Sequence, residues 1–352
     1  MKPSTATAWI VSASALFIHA LNGGVQDGRL DFYWVDSMGG GSTLIVSPGG
    51  ESVLIDTGNP GGRDAGRIHK VAKEVAGLKQ IDHLIVTHLH LDHYGGAAEF
   101  SALMPIRKVY DNGIPERDPD GGNDAAWPLK IKAYREMTVG ERVVVQPGSE
   151  VSLRGARDVP GAGPVIRFIA AKQRFGPARA LATNVRDCRD PNPKAKDTSD
   201  NANSIVTLLR FANFQFFNGG DLTWNVEAEL NCPLLQVSRV DVYQVNHHGL
   251  DVSNNPMLLS DLAPTVAVFN NGPNKGCMPE VVKNLRSLPS LQGVYQVHRN
   301  LKNPEVNAPS AHCANDGEVG GNYLKLSVAP DGKSYMVTVP STGHQATYKT
   351  RN

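Results

Sequence analysis

Short apolar runs alternate with amphipathic stretches along the chain, and their order predicts an α+β fold. Three β-branched or aromatic runs separated by glycine-rich turns predict strands at Leu30 to Asp36, Thr43 to Val46 and Ser52 to Asp56. From Arg63 to Leu78 the apolar positions recur at helical spacing, and Leu84 to Val86 is a further short apolar strand. The opening third is therefore predicted to be an antiparallel meander followed by a helix and a fourth strand.

The second half of the chain repeats this pattern. A predicted hairpin over Ser204 to Phe217 is followed by Gly219-Gly220-Asp221, and a predicted strand over Val240 to Val245 ends in Asn246-His247-His248-Gly249. Polar clusters thus follow strand ends in both halves. Two such halves predict a sandwich of two sheets with helices outside, forming a single domain over residues 28–350.

The loop after Val86 carries the strongest chemical signal. His88, His90, Asp92 and His93 fall within six positions, between a predicted strand and a predicted helix. Histidine and aspartate are ligand types of zinc. His88 and His90 point the same way in an extended chain and are predicted to reach one metal ion. Asp92 and His93 follow the turn and are predicted to reach a second.

Three residues of the second half complete this hypothesis. Asp221 is the candidate to bridge two metals, and His247 or His248 is the candidate to complete the second site. The sequence leaves open which of the two histidines is the ligand. Imidazole-rich ligands favour one or two Zn²⁺ ions, although Mn²⁺ or Fe would also accept this set.

The beginning of the chain has the layout of a secretory signal. Lys2 precedes a short apolar stretch that ends in small residues near Ala20, so residues 1–22 are predicted to be a signal peptide and the protein to be exported. The stretch is too short to span a bilayer. The four cysteines form no CxxC pair, and three disulfide pairings are open.

Charge argues against a general nucleic-acid-binding protein. The chain has 35 Lys and Arg against 34 Asp and Glu, and the predicted signal segment removes one lysine and no acid. Proteins that hold nucleic acid without sequence preference are usually markedly basic. A small-molecule or phosphodiester substrate is therefore expected, and the oligomeric state is left open.

Several motifs resemble those of the metallo-β-lactamase superfamily, and in particular its ComEC-like branch. They are His88-x-His90-x-Asp92-His93, Leu54-Ile55-Asp56-Thr57-Gly58, Gly219-Gly220-Asp221-Leu222 and Val245-Asn246-His247-His248-Gly249. The resemblance implies a four-layer αβ/βα sandwich, with Asp56 supporting the histidine loop. It also implies a hydrolase that uses metal-activated water. Asp92 would orient this water or accept its proton, and His248 would act catalytically if it is not a ligand.

One departure from the family pattern affects both metal occupancy and function. No histidine lies between His93 and His247, where many members have one that completes the first metal site. Water or a residue near Asp200 to Asn203 is the expected substitute. The ComEC-like resemblance favours a phosphodiesterase. The alternatives are a lactone- or β-lactam-type carbonyl hydrolase, and a metal-binding protein without turnover.

Overall fold

The computed structural model describes residues 28–122, 124–155, 163–177 and 187–351. The predicted signal segment 1–22 lies outside these residues. The strands within them are, in chain order, β1 Leu30–Val35, β2 Thr43–Val46, β3 Ser52–Ile55, β4 Ile81–Ile85, β5 Ile106–Asp111, β6 Glu141–Val144, β7 Glu150–Ser152, β8 Val165–Ala171, β9 Arg174–Phe175, β10 Val206–Phe211, β11 Phe214–Asn218, β12 Val242–Gln244, β13 Val266–Phe269, β14 Gly293–His298, β15 Cys313–Asn315, β16 Tyr323–Val328, β17 Ser334–Val339 and β18 His344–Lys349.

Helices connect the strands and cover the outer faces of the sheets. They are α1 Arg63–Lys70, α2 Leu91–Tyr94, α3 Ala97–Leu103, α4 Trp127–Glu136, α5 Trp224–Leu230, α6 Pro256–Leu262 and α7 Pro279–Arg286. A π-helical turn, Val71–Val75, continues α1, and a 3₁₀ turn, Asn246–Gly249, follows β12. α6 begins with both local start signals, because the Asn255 side chain accepts a hydrogen bond from the Met257 amide and Pro256 takes the first helical position.

Two sheets face each other, each with nine strands within the described residues. The first has the order β18-β17-β16-β1-β2-β3-β4-β5-β6, and the second has the order β15-β14-β13-β12-β11-β10-β8-β7, with β9 paired to β8. β1, β2 and β3 form the predicted antiparallel meander, and β4 runs parallel to β3. The α+β sandwich predicted from the sequence is confirmed.

Apolar cores on both sides of each sheet explain why the inner strands are apolar on both faces. Phe32 and Trp34 point into the core between the sheets, whereas Tyr33 and Val35, on the opposite face of β1, pack under the helices of the first half. A further core lies between the second sheet and its helices. Strands buried on both faces lose the apolar–polar alternation of half-exposed strands, and the four-layer αβ/βα arrangement follows.

The structure differs from the sequence predictions mainly near the ends of elements and of the chain. The helix predicted over Arg63 to Leu78 changes from α1 to the π-helical turn at Val71. The strands β9, β15 and β18 were not predicted. β16 to β18 also extend the first sheet beside β1, with Leu30 opposite Val328, although they follow the second half in sequence.

The fold determines which of the four cysteines form a disulfide. Cys188 and Cys232 form a disulfide that joins the segment before β10 to the end of α5. Cys277 and Cys313 are free and buried.

The sandwich gathers loops from both halves at one edge. The histidine loop follows β4, Asp221 follows β11, and His247 and His248 follow β12. Asp56 follows β3 in the same way. The carboxyl ends of neighbouring parallel strands lie at one edge of a sheet, where open α/β sheets place their ligands. Within the described ranges, no helix is both long and apolar enough to cross a membrane.

Candidate metal centre

Four histidine side chains converge on the carboxylate of Asp221. The distance from Nε2 to Asp221 Oδ2 is 3.2 Å for His93, 3.4 Å for His247, 3.4 Å for His248 and 4.0 Å for His88. Asp221 and the four imidazoles are almost fully buried. One carboxylate oxygen therefore lies next to ligand atoms from both halves of the molecule.

Asp92 adds a second carboxylate to this cluster. Its Oδ2 lies 3.5 Å from His93 Nε2 and 3.4 Å from His248 Nε2. In the described part of the chain, Asp92, His93, Asp221 and His248 form a group whose ligand atoms all lie within 4.8 Å of one another. These four residues, all predicted as ligands, are brought together by the fold.

The second ring nitrogen of each clustered histidine has its own partner. His93 Nδ1 lies 2.8 Å from Asp56 Oδ2, and His248 Nδ1 lies 2.8 Å from the carbonyl oxygen of Asn270. An Nδ1–H that donates to such an oxygen leaves the Nε2 lone pair free to bind a metal. Asp56 thus holds the position below the histidine loop that the resemblance implied.

Hydroxyl groups are the Nδ1 partners of the other two imidazole rings. His247 Nδ1 lies 3.1 Å from Ser253 Oγ, and His88 Nδ1 lies 3.1 Å from Thr87 Oγ1. All four Nε2 atoms therefore face the common carboxylate.

Unpartnered nitrogen atoms test whether these residues fit a metal. The Nε2 atoms of His88, His93 and His248 are buried and make no hydrogen bond within the described structure. A buried polar atom without a partner is costly and rare. Three of them around one carboxylate match the donor set of a zinc-type ion, so the residues fit the metal that the sequence predicted.

His90 is the predicted ligand that lies outside the cluster. Its Nε2 lies 2.9 Å from Asp120 Oδ1, and its side chain is 23% exposed. Its ring is nevertheless adjacent to that of His88, with 4.6 Å between centroids. Asp120 comes from the Gly-, Pro- and Asp-rich loop after β5, and nothing in the pattern of that loop indicated a pairing with His90.

Asp200 to Asn203, the segment expected to replace the absent histidine, contacts the backbone of the histidine loop. Asp200 Oδ2 accepts a hydrogen bond from the amide of Leu89 at 2.6 Å, and Asp200 Oδ1 accepts one from the Asn203 side chain at 3.0 Å. Asp200 thus fixes the loop between His88 and His90, and in the described structure it is not part of the ligand group.

Strained backbone accompanies the site. Asp56, His247 and His248 have φ values of 61°, 53° and 56°, in the left-handed region that residues other than glycine rarely adopt. Such conformations persist where the surrounding structure holds them, and they concentrate at functional sites. The neighbouring Gly41 leaves room for this arrangement, because a Cβ there would lie 2.8 Å from Asp56 Oδ2 and 2.8 Å from His93 Nδ1. The sequence indicated only a turn at this glycine.

The charges of the cluster are coupled. Burial by itself raises the pKa of Asp221, but the charges of His93, His248 and His247 outweigh it and hold that pKa well below its usual range. Burial lowers the pKa of His93, whereas the negative charges of Asp221, Asp92 and Asp56 raise it well above its usual value. Without a metal, therefore, protons on the imidazoles neutralise the carboxylates.

The other imidazoles divide according to the carboxylates they face. Burial, reinforced by the charge of His93, lowers the pKa of His88 well below its usual value. Burial also lowers the pKa of His247, against the charge of Asp221. Burial acts in the same direction on His248, but Asp221 leaves its pKa raised. His88 and His247 are thus neutral, as a metal ligand must be.

Lys275 is a site residue that the sequence did not indicate. Its ammonium group forms an ion pair with Asp92, and its side chain is 37% exposed at the rim of the cluster. It lies in the loop after β13, the next parallel strand beyond β12. That position at the carboxyl end of a neighbouring strand was the only signal available.

Two of the three histidines that follow His248 pack elsewhere. His298 is fully buried and its Nε2 lies 2.7 Å from Asp36 Oδ1, while His312 stacks on Tyr295. Neither belongs to the ligand group found among the described residues.

Sequence comparison agrees with the motif and the geometry. The family model described as the Metallo-beta-lactamase superfamily matches residues 38–164, which include Asp56 and the whole histidine loop. The match confirms the predicted metallo-β-lactamase superfamily over these residues. ComE operon protein 3 of Bacillus subtilis is 24% identical over 198 residues, which are 56% of this chain and 21% of that protein. The assignment to the ComEC-like branch is thereby confirmed.

Two further similarities are more limited. A UPF0173 metal-dependent hydrolase of Cupriavidus metallidurans is 32% identical over 90 residues, which are 25% of this chain and 28% of that protein. The matches to both relatives thus span only about a fifth to a quarter of the relatives' length. The solved metallo-beta-lactamase fold protein YhfI of Bacillus subtilis aligns with a TM-score of 0.45 and 10% identity, covering 76% of this chain and 96% of that one.

Proposed function

We propose that this protein is an exported, zinc-dependent phosphodiesterase. The observation that carries the proposal is the convergence of four imidazole Nε2 atoms on Asp221 Oδ2, with Asp92 beside them. His88, Asp92, His93, Asp221, His247 and His248 would hold one or two ions, and His90 would join them from the rim. A zinc ion bound there would lower the pKa of a water molecule to about 7 and supply hydroxide at neutral pH.

The protein's own groups divide the remaining work. Asp56 and the Asn270 carbonyl fix the tautomers of His93 and His248. Burial raises the pKa of Asp92, but the charge of His93, the adjacent His248 imidazole and the charge of Lys275 hold it well below its usual range. A carboxylate with so low a pKa is a poor proton acceptor. Asp92 therefore suits binding and orientation better than general-base catalysis.

Lys275 supports an anionic substrate. Its ammonium group lies at the rim, beside the carboxylate that faces the cluster. A phosphodiester carries a negative charge on the non-bridging oxygens of its scissile phosphate, whereas a lactone carbonyl carries none. Placing a cation at this rim favours the first substrate over the second.

Export is supported by two features. The amino-terminal segment has a signal-like pattern, and Cys188 and Cys232 are joined. Structural disulfides persist mainly in oxidising compartments.

The proposal is tested by metal analysis combined with two assays. The purified protein is expected to hold zinc and to hydrolyse bis(p-nitrophenyl) phosphate, and to leave nitrocefin intact. Asp221→Ala and His88→Ala are expected to lose both metal and turnover, whereas the exposed-site control Lys333→Met keeps both. Nitrocefin hydrolysis without phosphodiester cleavage would favour the carbonyl hydrolase. Bound metal without turnover of either ester would favour a binding protein.

A further inference from the structure

A cavity opens beside the histidine loop and contains none of the clustered ligands. We call it the side cavity; its volume is about 430 Å³, and its walls include Leu89, Asn112, Ile114, Val144 and Lys172. This volume lies within the range of small-molecule sites. A cavity of about 540 Å³ lies next to the Cys188–Cys232 disulfide and is not bordered by the histidine loop.

The side cavity is lined in part by the histidine loop. Leu89 stands between His88 and His90, and its amide is held by Asp200, another wall residue. The side cavity thus adjoins the backbone of the histidine loop, while none of the clustered ligands lines it.

The walls are mainly apolar. Ile114 and Val144 border the cavity, and Val144 is 49% exposed although its strand neighbours the apolar core. Asn112 is 95% buried, since only 5% of its surface is exposed, and its Nδ2 donates to the Asn203 carbonyl. Its Oδ1 is buried without a hydrogen-bond partner in the described structure. This oxygen has almost no accessible surface and does not open into the cavity, so the apolar side chains form most of the surface that a ligand would contact.

Lys172 gives the cavity its charge. It lies in the turn between β8 and β9, and it forms no ion pair with any residue of the described ranges. The carboxylate of Asp200, the other charged group in the wall, already accepts two hydrogen bonds. A cation next to apolar walls suits an apolar group that carries a negative charge.

We propose that the side cavity is the subsite for the organic group next to the scissile bond, and that it selects an apolar ring or short chain bearing an anionic substituent. The inference rests on the proposed function, because it assumes that the metal centre holds the scissile group. It goes further by assigning substrate selection to residues outside the ligand cluster.

The test measures binding rather than turnover. Calorimetric titration of the zinc-loaded protein compares methylphosphonate, benzylphosphonate and 4-(phosphonomethyl)benzoate, which share a phosphonate for the metal centre and add first a ring and then a carboxylate. Partial burial of the ring is expected to tighten binding on the order of tenfold. The carboxylate, paired with an exposed lysine, should add roughly twofold to fivefold.

Two variants separate the two contributions. Val144→Glu is expected to remove the gain from the ring, and Lys172→Met only the gain from the carboxylate. Val319→Glu and Lys333→Met make the same changes at exposed positions outside the cavity walls and should leave all three affinities unchanged.

The outcomes distinguish the subsite from the proposed function. Equal affinities for the three phosphonates, no measurable binding of any of them, or equal effects of the variants and their controls would overturn the subsite. If the affinities rise in the expected order but no phosphodiester is hydrolysed, the subsite stands and the phosphodiesterase proposal fails.

Discussion

Asp56 can be altered almost without changing its shape. The change should weaken metal binding through His93, although Asp56 is not itself a predicted ligand. Its Oδ2 lies 2.8 Å from His93 Nδ1 and 2.8 Å from Thr87 Oγ1, and its Oδ1 accepts the Thr87 amide at 2.8 Å. Replacement by asparagine would preserve this outline. Asparagine also tolerates the left-handed backbone with φ of 61° that the position requires.

The Asp56→Asn substitution acts through the tautomer of His93. If the amide oxygen keeps the hydrogen bond from the Thr87 amide, the new NH₂ group faces His93 Nδ1. That nitrogen must then accept, so the ring hydrogen moves to Nε2, which faces Asp221. An imidazole with hydrogen on Nε2 has no lone pair there for a metal. Flipping the amide instead leaves the buried Thr87 amide without its acceptor.

The expected loss follows from this geometry. Removing the partner that orients a ligating histidine typically lowers metal affinity by about 10-fold to 100-fold. That factor corresponds to about 1.4–2.8 kcal/mol. It agrees with the roughly 1.5–3 kcal/mol that a hydrogen bond to a charged group contributes.

The assay is competition between the protein and a chelator for Co²⁺, followed by the visible absorbance of the bound ion at about pH 7.5, close to the pKa of metal-bound water. Asp82→Asn is the matched control, because Asp82 is also buried but its carboxylate contacts Ser52, Gln80 and Arg107 rather than an imidazole. Thermal unfolding of the metal-free variants reports any general loss of stability. Asp56→Asn protein that is folded and binds Co²⁺ within threefold of wild type would refute the tautomer argument.

Four further predictions test the charges, the packing and the covalent link. Carboxylates raise the pKa of His93, so a metal ion must displace the proton on its ring. Metal affinity should therefore rise by up to about tenfold per pH unit between about pH 6 and 8. A metal affinity that does not change with pH would contradict this. Metal-free protein should melt at lower temperature as pH rises above 6.5, the ordinary pKa of histidine, because folded His93 keeps its proton after the unfolded chain has lost its own. Gly41→Ala should weaken metal binding at least about tenfold, because the added methyl group would displace Asp56, the partner of His93. The control Gly66→Ala, whose methyl group meets open space on α1, should not weaken it. Equal metal affinities of the two variants would refute the packing argument. Cys188 and Cys232 are 44 positions apart, and their disulfide closes a loop of that length. Replacing both by serine should lower the free energy of unfolding by about 4 kcal/mol, measured by urea denaturation. An unchanged denaturation midpoint would show that the disulfide does not stabilise the fold.

The histidine loop illustrates what local sequence can determine. His88, Asp92 and His93 stand close together whatever the rest of the chain does, because one strand-to-helix loop carries them. The ligand types and their spacing therefore predicted a metal site. The apolar runs likewise predicted the meander and the two similar halves, since a strand buried on both faces has few alternatives for its side chains.

His90 illustrates what the loop alone could not determine. It has the same spacing as its neighbours, yet its Nε2 faces Asp120, which lies on another loop far along the chain. The partners Asp56, Asn270 and Lys275 likewise lie 37, 22 and 183 residues from the histidines or carboxylate they contact. No periodicity encodes such pairs, because they depend on how loops from different strands meet at one edge.

The sequence by itself determined the ligand types, the two strand-rich halves and the carboxyl-end positions of the polar clusters, because these follow from the local spacing of side chains. The tertiary structure alone decided that four imidazoles share the carboxylate of Asp221, that Asp56 fixes His93 and that a side cavity adjoins Leu89. The shared carboxylate and the cavity depend on packing two sheets face to face, and the contact of Asp56 with His93 depends on the parallel pairing of β3 with β4; both bring residues that are apart in the chain close together.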